Sequence, residues 1–251
     1  MSQPMMINSS LKSHLKAFLE SKGWYVRKTA GLPSGVDCFH ELRYQMGVEL
    51  NLVFDVGAHR GETTFAVLER YPSATIHAFE PVRENFEALK AAVEHIPSVI
   101  CHQLALGDQP GSVEILNAEH SQTYTLKKQV SALSQSTALT TSVTVSTLDG
   151  FLRNMSVGRI DLLKLDVEGY ELKALTGAHE TLSTKPPKLL LVEASLDKDD
   201  EIHSPFLEID TFLSKYQYRL LSLYDQVIWP KPNRLAYFNA LFGLESLPPW
   251  P

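Results

Sequence analysis

From position 50 onward, short apolar runs alternate with amphipathic stretches of helical period. That alternation constrains the chain to repeated β-α units. A strand covered on both faces reads apolar nearly throughout, whereas each crossover helix shows a single apolar stripe. LNLVFDV and KLLLVEA are runs of the first kind. Strands are expected at 50–56, 74–79, 99–106, 160–166 and 188–194, with helices at 61–70, 82–94, 171–182 and 205–216. Two later apolar segments, 218–223 and 241–244, are expected to complete the sheet as an antiparallel pair.

Two segments fall outside this rhythm. Upstream, Ser9 or Ser10 can cap a helix whose Leu11, Leu15, Phe18 and Leu19 share one face, and which ends near Gly23. An irregular stretch follows to about Gly47, so residues 1–48 read as an N-terminal helical cap on a single domain, 49–251. The apolar face of that helix also makes it a possible homodimer contact. Residues 117–146 are rich in Ser and Thr and poor in large apolar side chains. They read as a solvated loop with a hairpin or as a substrate-facing insertion.

Composition narrows the classes of function. With 44% hydrophobic and 21% charged residues the chain can build an ordinary core, and a formal net charge of −6 argues against gripping nucleic-acid phosphates. No apolar window reaches the length of a membrane span, and the first residues lack the pattern of a secretion signal, so a cytoplasmic protein is expected. Cys38 and Cys101 have no metal-ligand spacing, and the histidines form no HxH or HxxxH pair, so no metal site is assigned.

Chemistry concentrates in Asp55-Val56-Gly57-Ala58-His59-Arg60-Gly61, which follows an apolar strand and opens a helix. Glycines there let the backbone turn sharply and approach a ligand. A dinucleotide site prefers GxGxxG, with a pyrophosphate on the helix N-terminus. Here the spacing is DxGxxxG, which suits S-adenosylmethionine, whose ammonium group a carboxylate can help hold. Glu80 closes the next strand, where a carboxylate can accept hydrogen bonds from both hydroxyls of an adenosyl ribose.

These segments, with LALGD, STLDGF, IDLLKLDVEGYELKALTGA and LLLVEAS, make the chain similar to the FkbM family of methyltransferases over about 51–195. LKLDVEGYE is the most specific of them. The resemblance implies an α/β, Rossmann-like methyltransferase fold: a mostly parallel seven-stranded sheet with helices on both faces and a reversed last strand. It also implies S-adenosylmethionine as donor and a hydroxyl of a sugar, glycan or related secondary metabolite as acceptor. His59 departs mildly from the family, where many members carry Asn. Asp55, Gly57, His59, Gly61 and Glu80 are the expected cofactor residues, with Asp108, beside Ala105 and Leu106, lining the adenine.

Resemblance and strand alternation together make Lys164, Asp166 and Glu168 the catalytic candidates. Lys164 and Asp166 share a strand face, and the acceptor's proton must leave to a carboxylate or histidine. Asp166 or Glu168 is expected to bind or deprotonate the acceptor while Lys164 orients the carboxylates; a purely structural Lys164–Asp166 pair is the competing reading. Glu171 suits a helix start on dipole grounds alone. Glu193 can face the acceptor, and acids gathered at one cleft leave a divalent ion bound through oxygen as an open alternative. His120 is a minor alternative base. A nicotinamide-dependent oxidoreductase and a catalytically inactive binding module of the same fold are the rival functions.

Overall fold

The computed structural model describes residues 9–23, 33–116, 140–153, 155, 157–197, 200, 202–229 and 233–247. In chain order the first elements are α1 (Ser9–Ser21), α2 (Cys38–His40), β1 (Leu52–Val56), α3 (Glu62–Arg70), β2 (Thr75–Phe79) and α4 (Arg83–Val93). Next come β3 (Val99–His102), β4 (Ala105–Leu106), β5 (Gly111–Leu116), β6 (Thr140–Ser146), α5 (Leu148–Leu152) and β7 (Leu162–Leu165). The chain ends through α6 (Glu171–Thr176), α7 (His179–Thr184), β8 (Leu189–Ser195), α8 (Phe206–Ser214), β9 (Tyr218–Trp229) and β10 (Arg234–Leu244).

The main sheet has seven strands in the order β3-β2-β1-β7-β8-β10-β9. β3, β2, β1, β7 and β8 pair in parallel, whereas β10 runs antiparallel to both β8 and β9. The order reverses at β1, which starts outward to β2 and β3 and then neighbours β7. A crevice opens at the carboxyl ends of strands at such a point.

Alternation along the strands divides the core between two faces. Val53, Ile76, Leu162 and Leu191 pack with Phe39, Leu42, Val67 and Tyr71 on one side. Phe54, Phe79, Leu163 and Val192 pack with Leu175, Leu182, Ile209 and Leu213 on the other. α2 and α3 therefore cover one face, and α6, α7 and α8 the opposite one. Each such fully buried side chain contributes roughly 1.5–3 kcal/mol, which is why these strands tolerate almost no polar residue away from their carboxyl ends.

Several boundaries differ from the sequence expectation. The strand expected at 99–106 splits into β3 and β4, and β4 joins a separate three-stranded sheet, β4-β6-β5. The helix expected at 171–182 breaks at Gly177, where a Cβ would lie 1.9 Å from the Gly107 carbonyl oxygen. β9 and β10 are far longer than the apolar segments that announced them. Within the 117–146 stretch, 117–139, including His120, lies outside the described residues, and 140–146 is strand β6 pairing with β5.

In the N-terminal segment, Leu15 and Phe18 of α1 are each 58% exposed, whereas Cys38, Phe39 and Leu42 are buried. Among the described residues of this segment, the packed part is α2 and the π-helical turn Glu41–Gln45 that continues it, where the sequence reads as irregular. Among the described residues, no helix is long and apolar enough to cross a membrane.

Candidate active site

A cavity of about 510 Å³ opens at the carboxyl ends of β1, β2 and β7, a size usual for small-molecule sites. Gly57 and His59 after β1, Glu80 after β2, and Asp166 and Glu168 after β7 all line it. Apolar lining comes from Val82, Leu104, Ala105 and Ile115.

The turn after β1 is forced into shape by its neighbour. Gly57 has φ +80°, and a Cβ there would lie 1.8 Å from the Asp166 carbonyl oxygen. Gly57 and Ala58 donate their N–H groups to the Phe79 carbonyl, so the ends of β1 and β2 are tied together. Glu80 completes the tie: Oε2 accepts from the His59 N–H at 2.9 Å and Oε1 from the Val82 N–H at 2.8 Å. Burial pushes the Glu80 carboxyl above its ordinary value, against the pull of those two N–H groups. An ionised carboxylate has acceptor capacity beyond two bonds, so Glu80 can still receive hydroxyls from the cavity.

Behind this wall lies a buried ion group. Asp55 and Lys164 are register partners on β1 and β7. The Lys164 ammonium lies 3.4 Å from Asp55 Oδ1 and 3.2 Å from Asp166 Oδ2, and donates to the Gly57 carbonyl at 3.0 Å. Burial opposes its charge, but the Asp166 and Asp55 carboxylates outweigh burial and hold the ammonium well above the ordinary lysine value. Asp55 Oδ2 accepts from the Thr64 hydroxyl at 2.7 Å.

The structure therefore distributes the expected residues differently from a single binding surface. Gly57, His59, Glu80, Lys164, Asp166 and Glu168 reach the cavity. Asp55 is wholly buried and outside its lining, where its carboxylate stands as a counter-charge for Lys164. Gly61 serves as the left-handed N-cap of α3, also outside the lining. Asp108 is exposed and away from the cavity, where Leu104 and Ala105 stand instead.

Acids dominate the far side. Glu168 has φ +54° and its carboxyl is pushed up to about 7, first by burial and then by Asp166 and Glu171. Glu193, at the end of β8, is raised further by burial and by Asp166 and Glu168. Glu171 is structural: Oε1 accepts from the Val167 and Gly169 N–H groups and Oε2 from the Ser204 hydroxyl.

Tyr237 and His203 complete this side, and no motif in the sequence marks His203. Tyr237 lines the cavity and stacks on His203 with centroids 4.0 Å apart. The one sequence signal for His203 is Asp200 three residues earlier, whose carboxylate meets its Nδ1 at 2.7 Å. The sequence offers Trp229, Tyr237 and Phe238 as a sugar-stacking wall or as core; in the structure Phe238 is core, Trp229 is exposed, and Tyr237 lines the cavity.

The cavity's wall carries Glu62, Glu80, Asp166 and Glu168 against the already paired Lys164, a poor match for a pyrophosphate and a good one for a cationic sulfonium ligand. With β10 reversed beside β8, the topology is that of a Rossmann-like methyltransferase fold. A family profile described as "Methyltransferase FkbM domain" matches residues 55–220, and the chain belongs to that family, which uses S-adenosylmethionine.

Two curated relatives are similar to this chain. "Methyltransferase 1" of Beauveria bassiana (strain ARSEF 2860) is 28% identical, over 51% of this chain and 58% of its own length. "31-O-demethyl-FK506 methyltransferase FkbM" of Streptomyces tacrolimicus is 30% identical, over 53% and 63%. The chain thus spans about three-fifths of the length of these relatives.

Among solved structures, a precorrin-6y C5,15-methyltransferase from Geobacter metallireducens GS-15 matches with TM-score 0.46 at 9% identity, covering 83% of this chain and 85% of that one. The Burkholderia thailandensis 1,6-didemethyltoxoflavin-N1-methyltransferase, bound to 1,6-didemethyltoxoflavin and S-adenosylhomocysteine, matches with TM-score 0.46 at 12% identity, covering 97% and 93%.

Proposed function

We propose that this protein methylates a hydroxyl oxygen of a small-molecule acceptor of the sugar, glycan or secondary-metabolite class. The observation that carries the reading is the placement of two carboxylates across one cavity, Glu80 at the β2 end and Asp166 at the β7 end. Bound S-adenosylmethionine supplies an electrophilic methyl group. Glu80 holds the ribose hydroxyls, and the backbone from Gly57 to His59 borders the amino acid end. Asp166, partly open to the cavity and braced by Lys164, accepts the proton of the acceptor hydroxyl. Glu168 and Tyr237 frame the acceptor. The relative named for a 31-O-demethyl substrate supports an oxygen acceptor here.

Calorimetric titration of S-adenosylmethionine and S-adenosylhomocysteine, with NAD as control, tests the cofactor half. Micromolar binding of both, weakened at least tenfold in Glu80→Ala, is expected. A folded protein that binds NAD and neither sulfur compound would overturn the reading. The acceptor half is tested by turnover on hydroxylated against aminated versions of one sugar; transfer to the amine alone would reject oxygen as the target.

A further inference from the structure

Beyond the acceptor side of the cavity, Glu168, Glu193 and His203 converge from three separate segments: the loop after β7, the end of β8 and the turn before α8. One carboxylate oxygen of each glutamate and one ring nitrogen of the histidine all lie within 4.8 Å of one another. Metal bonds of about 2.0–2.6 Å put ligand atoms roughly 3–5 Å apart, depending on whether they are neighbours or opposite. The three groups therefore already stand at ligand separations.

Two further features point to a ligand and not merely to crowded acids. Glu193 is only 8% exposed, yet its Oε2 has no hydrogen-bond donor among the described residues, and the same holds for Glu168 Oε2. Buried carboxylate oxygens without donors are costly and call for a partner. The Glu193 atom faces His203 Nε2 at 3.7 Å, beyond hydrogen-bond range. His203 is also held as a metal-binding imidazole is held elsewhere. Asp200 Oδ2 takes Nδ1 at 2.7 Å, its Oδ1 accepts the His203 backbone N–H at 3.0 Å, and Tyr237 stacks on the ring. A carboxylate on Nδ1 fixes the tautomer whose Nε2 lone pair points at the two glutamates.

We propose that Glu168, Glu193 and His203 bind a divalent first-row metal ion, with Asp200 as the positioning residue for His203. Two carboxylate oxygens with one imidazole suit Mn²⁺, Fe²⁺ or Zn²⁺ better than Ca²⁺. The positive charge relieves the repulsion among Asp166, Glu168 and Glu193, which the single ammonium of Lys164 leaves uncompensated. Glu168 and Tyr237 also line the cavity, so the ion stands where an acceptor hydroxyl can coordinate it. A coordinated hydroxyl gives up its proton to Asp166 more readily than a free one. This role rests on the methyltransferase reading, but the binding site itself does not.

The test is titration of Mn²⁺ into metal-stripped protein, followed by loss of the free-ion electron paramagnetic resonance signal, with S-adenosylhomocysteine binding measured alongside. One Mn²⁺ per chain is expected, weakened at least tenfold in Glu193→Gln and in His203→Ala. Asp200→Asn, which spares all three ligands, is expected to weaken Mn²⁺ by about tenfold or more and to leave S-adenosylhomocysteine affinity unchanged. Wild type that binds S-adenosylhomocysteine but no Mn²⁺ would overturn the metal site while sparing the cofactor reading. Mn²⁺ binding that survives all three substitutions would overturn it too, by placing the ion elsewhere. Loss of S-adenosylhomocysteine binding with Mn²⁺ retained would keep the metal site and remove the cofactor reading instead.

Discussion

Lys164 holds its ammonium between two carboxylates, 3.4 Å from Asp55 Oδ1 on the neighbouring strand and 3.2 Å from Asp166 Oδ2 at the cavity wall. One buried cation thus couples sheet stability to the position of the proposed base. Removing one partner of such a group leaves an uncompensated charge, at a cost of about 3–5 kcal/mol. Lys164→Met is expected to lower the urea-unfolding free energy by that amount, and adding Asp55→Asn to the same chain should restore about half of it. A Lys164→Met protein within about 1 kcal/mol of wild type would show that the buried carboxylates beside it do not depend on this ammonium.

Gly57 makes a second, steric prediction. Its φ of +80° and the 1.8 Å approach of a built Cβ to the Asp166 carbonyl leave no room for any side chain. The obstacle is backbone just past the adjacent strand β7, so it cannot rotate away as a side chain could. Gly57→Ala is expected to cost more than about 2 kcal/mol through strain at the turn, and to weaken S-adenosylhomocysteine because His59 and Glu80 are tied to that turn. Unchanged thermal stability in Gly57→Ala would mean that the β1 and β7 loops separate easily.

What the sequence discloses here follows physical lines. Strands β1, β2, β7 and β8 are buried and mostly apolar, so their runs stand out, and so do the acids at their carboxyl ends: Glu80 and Asp166 just past β2 and β7, and Glu193 near the end of β8. Parity alone places Lys164 and Asp166 on one face. Hydropathy does not show where an apolar stretch changes partner, so the passage from β3 to β4, into a different sheet, reads as one strand. Nor does it show the break at Gly177, which exists because the Gly107 loop approaches from far away in sequence. His203 and Tyr237 meet Glu168 and Glu193 only through the reversal of β10 and the turn before α8. No local spacing encodes that meeting. Asp55 has the converse history: its position in the motif reads as ligand contact, while its complete burial makes it a counter-charge.

The division of labour between Asp166 and Glu168 can be separated kinetically. Both line the cavity, but Asp166 alone is braced by Lys164. Loss of a positioned general base lowers turnover by about 10²–10⁴-fold. Asp166→Asn is therefore expected to reduce kcat by at least a hundredfold with little change in KM for the donor. If Asp166→Asn keeps kcat within threefold of wild type, the proton leaves by another group.

A stability effect with a definite pH sign comes from His77 on β2 and His102 on β3. His77 Nδ1 lies 3.0 Å from His102 Nε2, the two rings stack, Phe79 also stacks on His102, and Phe151 meets it edge-on. Burial, and then the neighbouring His77, depress His102 to about 4, and burial lowers His77 as well. The folded state thus prefers both rings neutral while the unfolded chain takes up protons near the ordinary histidine value of about 6.5. Stability from this pair is fully present above about pH 6.5 and is lost as pH falls toward 4. After allowance for the partial exposure of His102, the loss is about 1–2 kcal/mol. His102→Phe keeps the aromatic packing and removes that titration, so the stability gap between variant and wild type should shift in the variant's favour by this amount between pH 7.5 and pH 5. Urea unfolding of both proteins across that range measures it, and a gap that stays constant with pH would show that the pair admits a proton without cost.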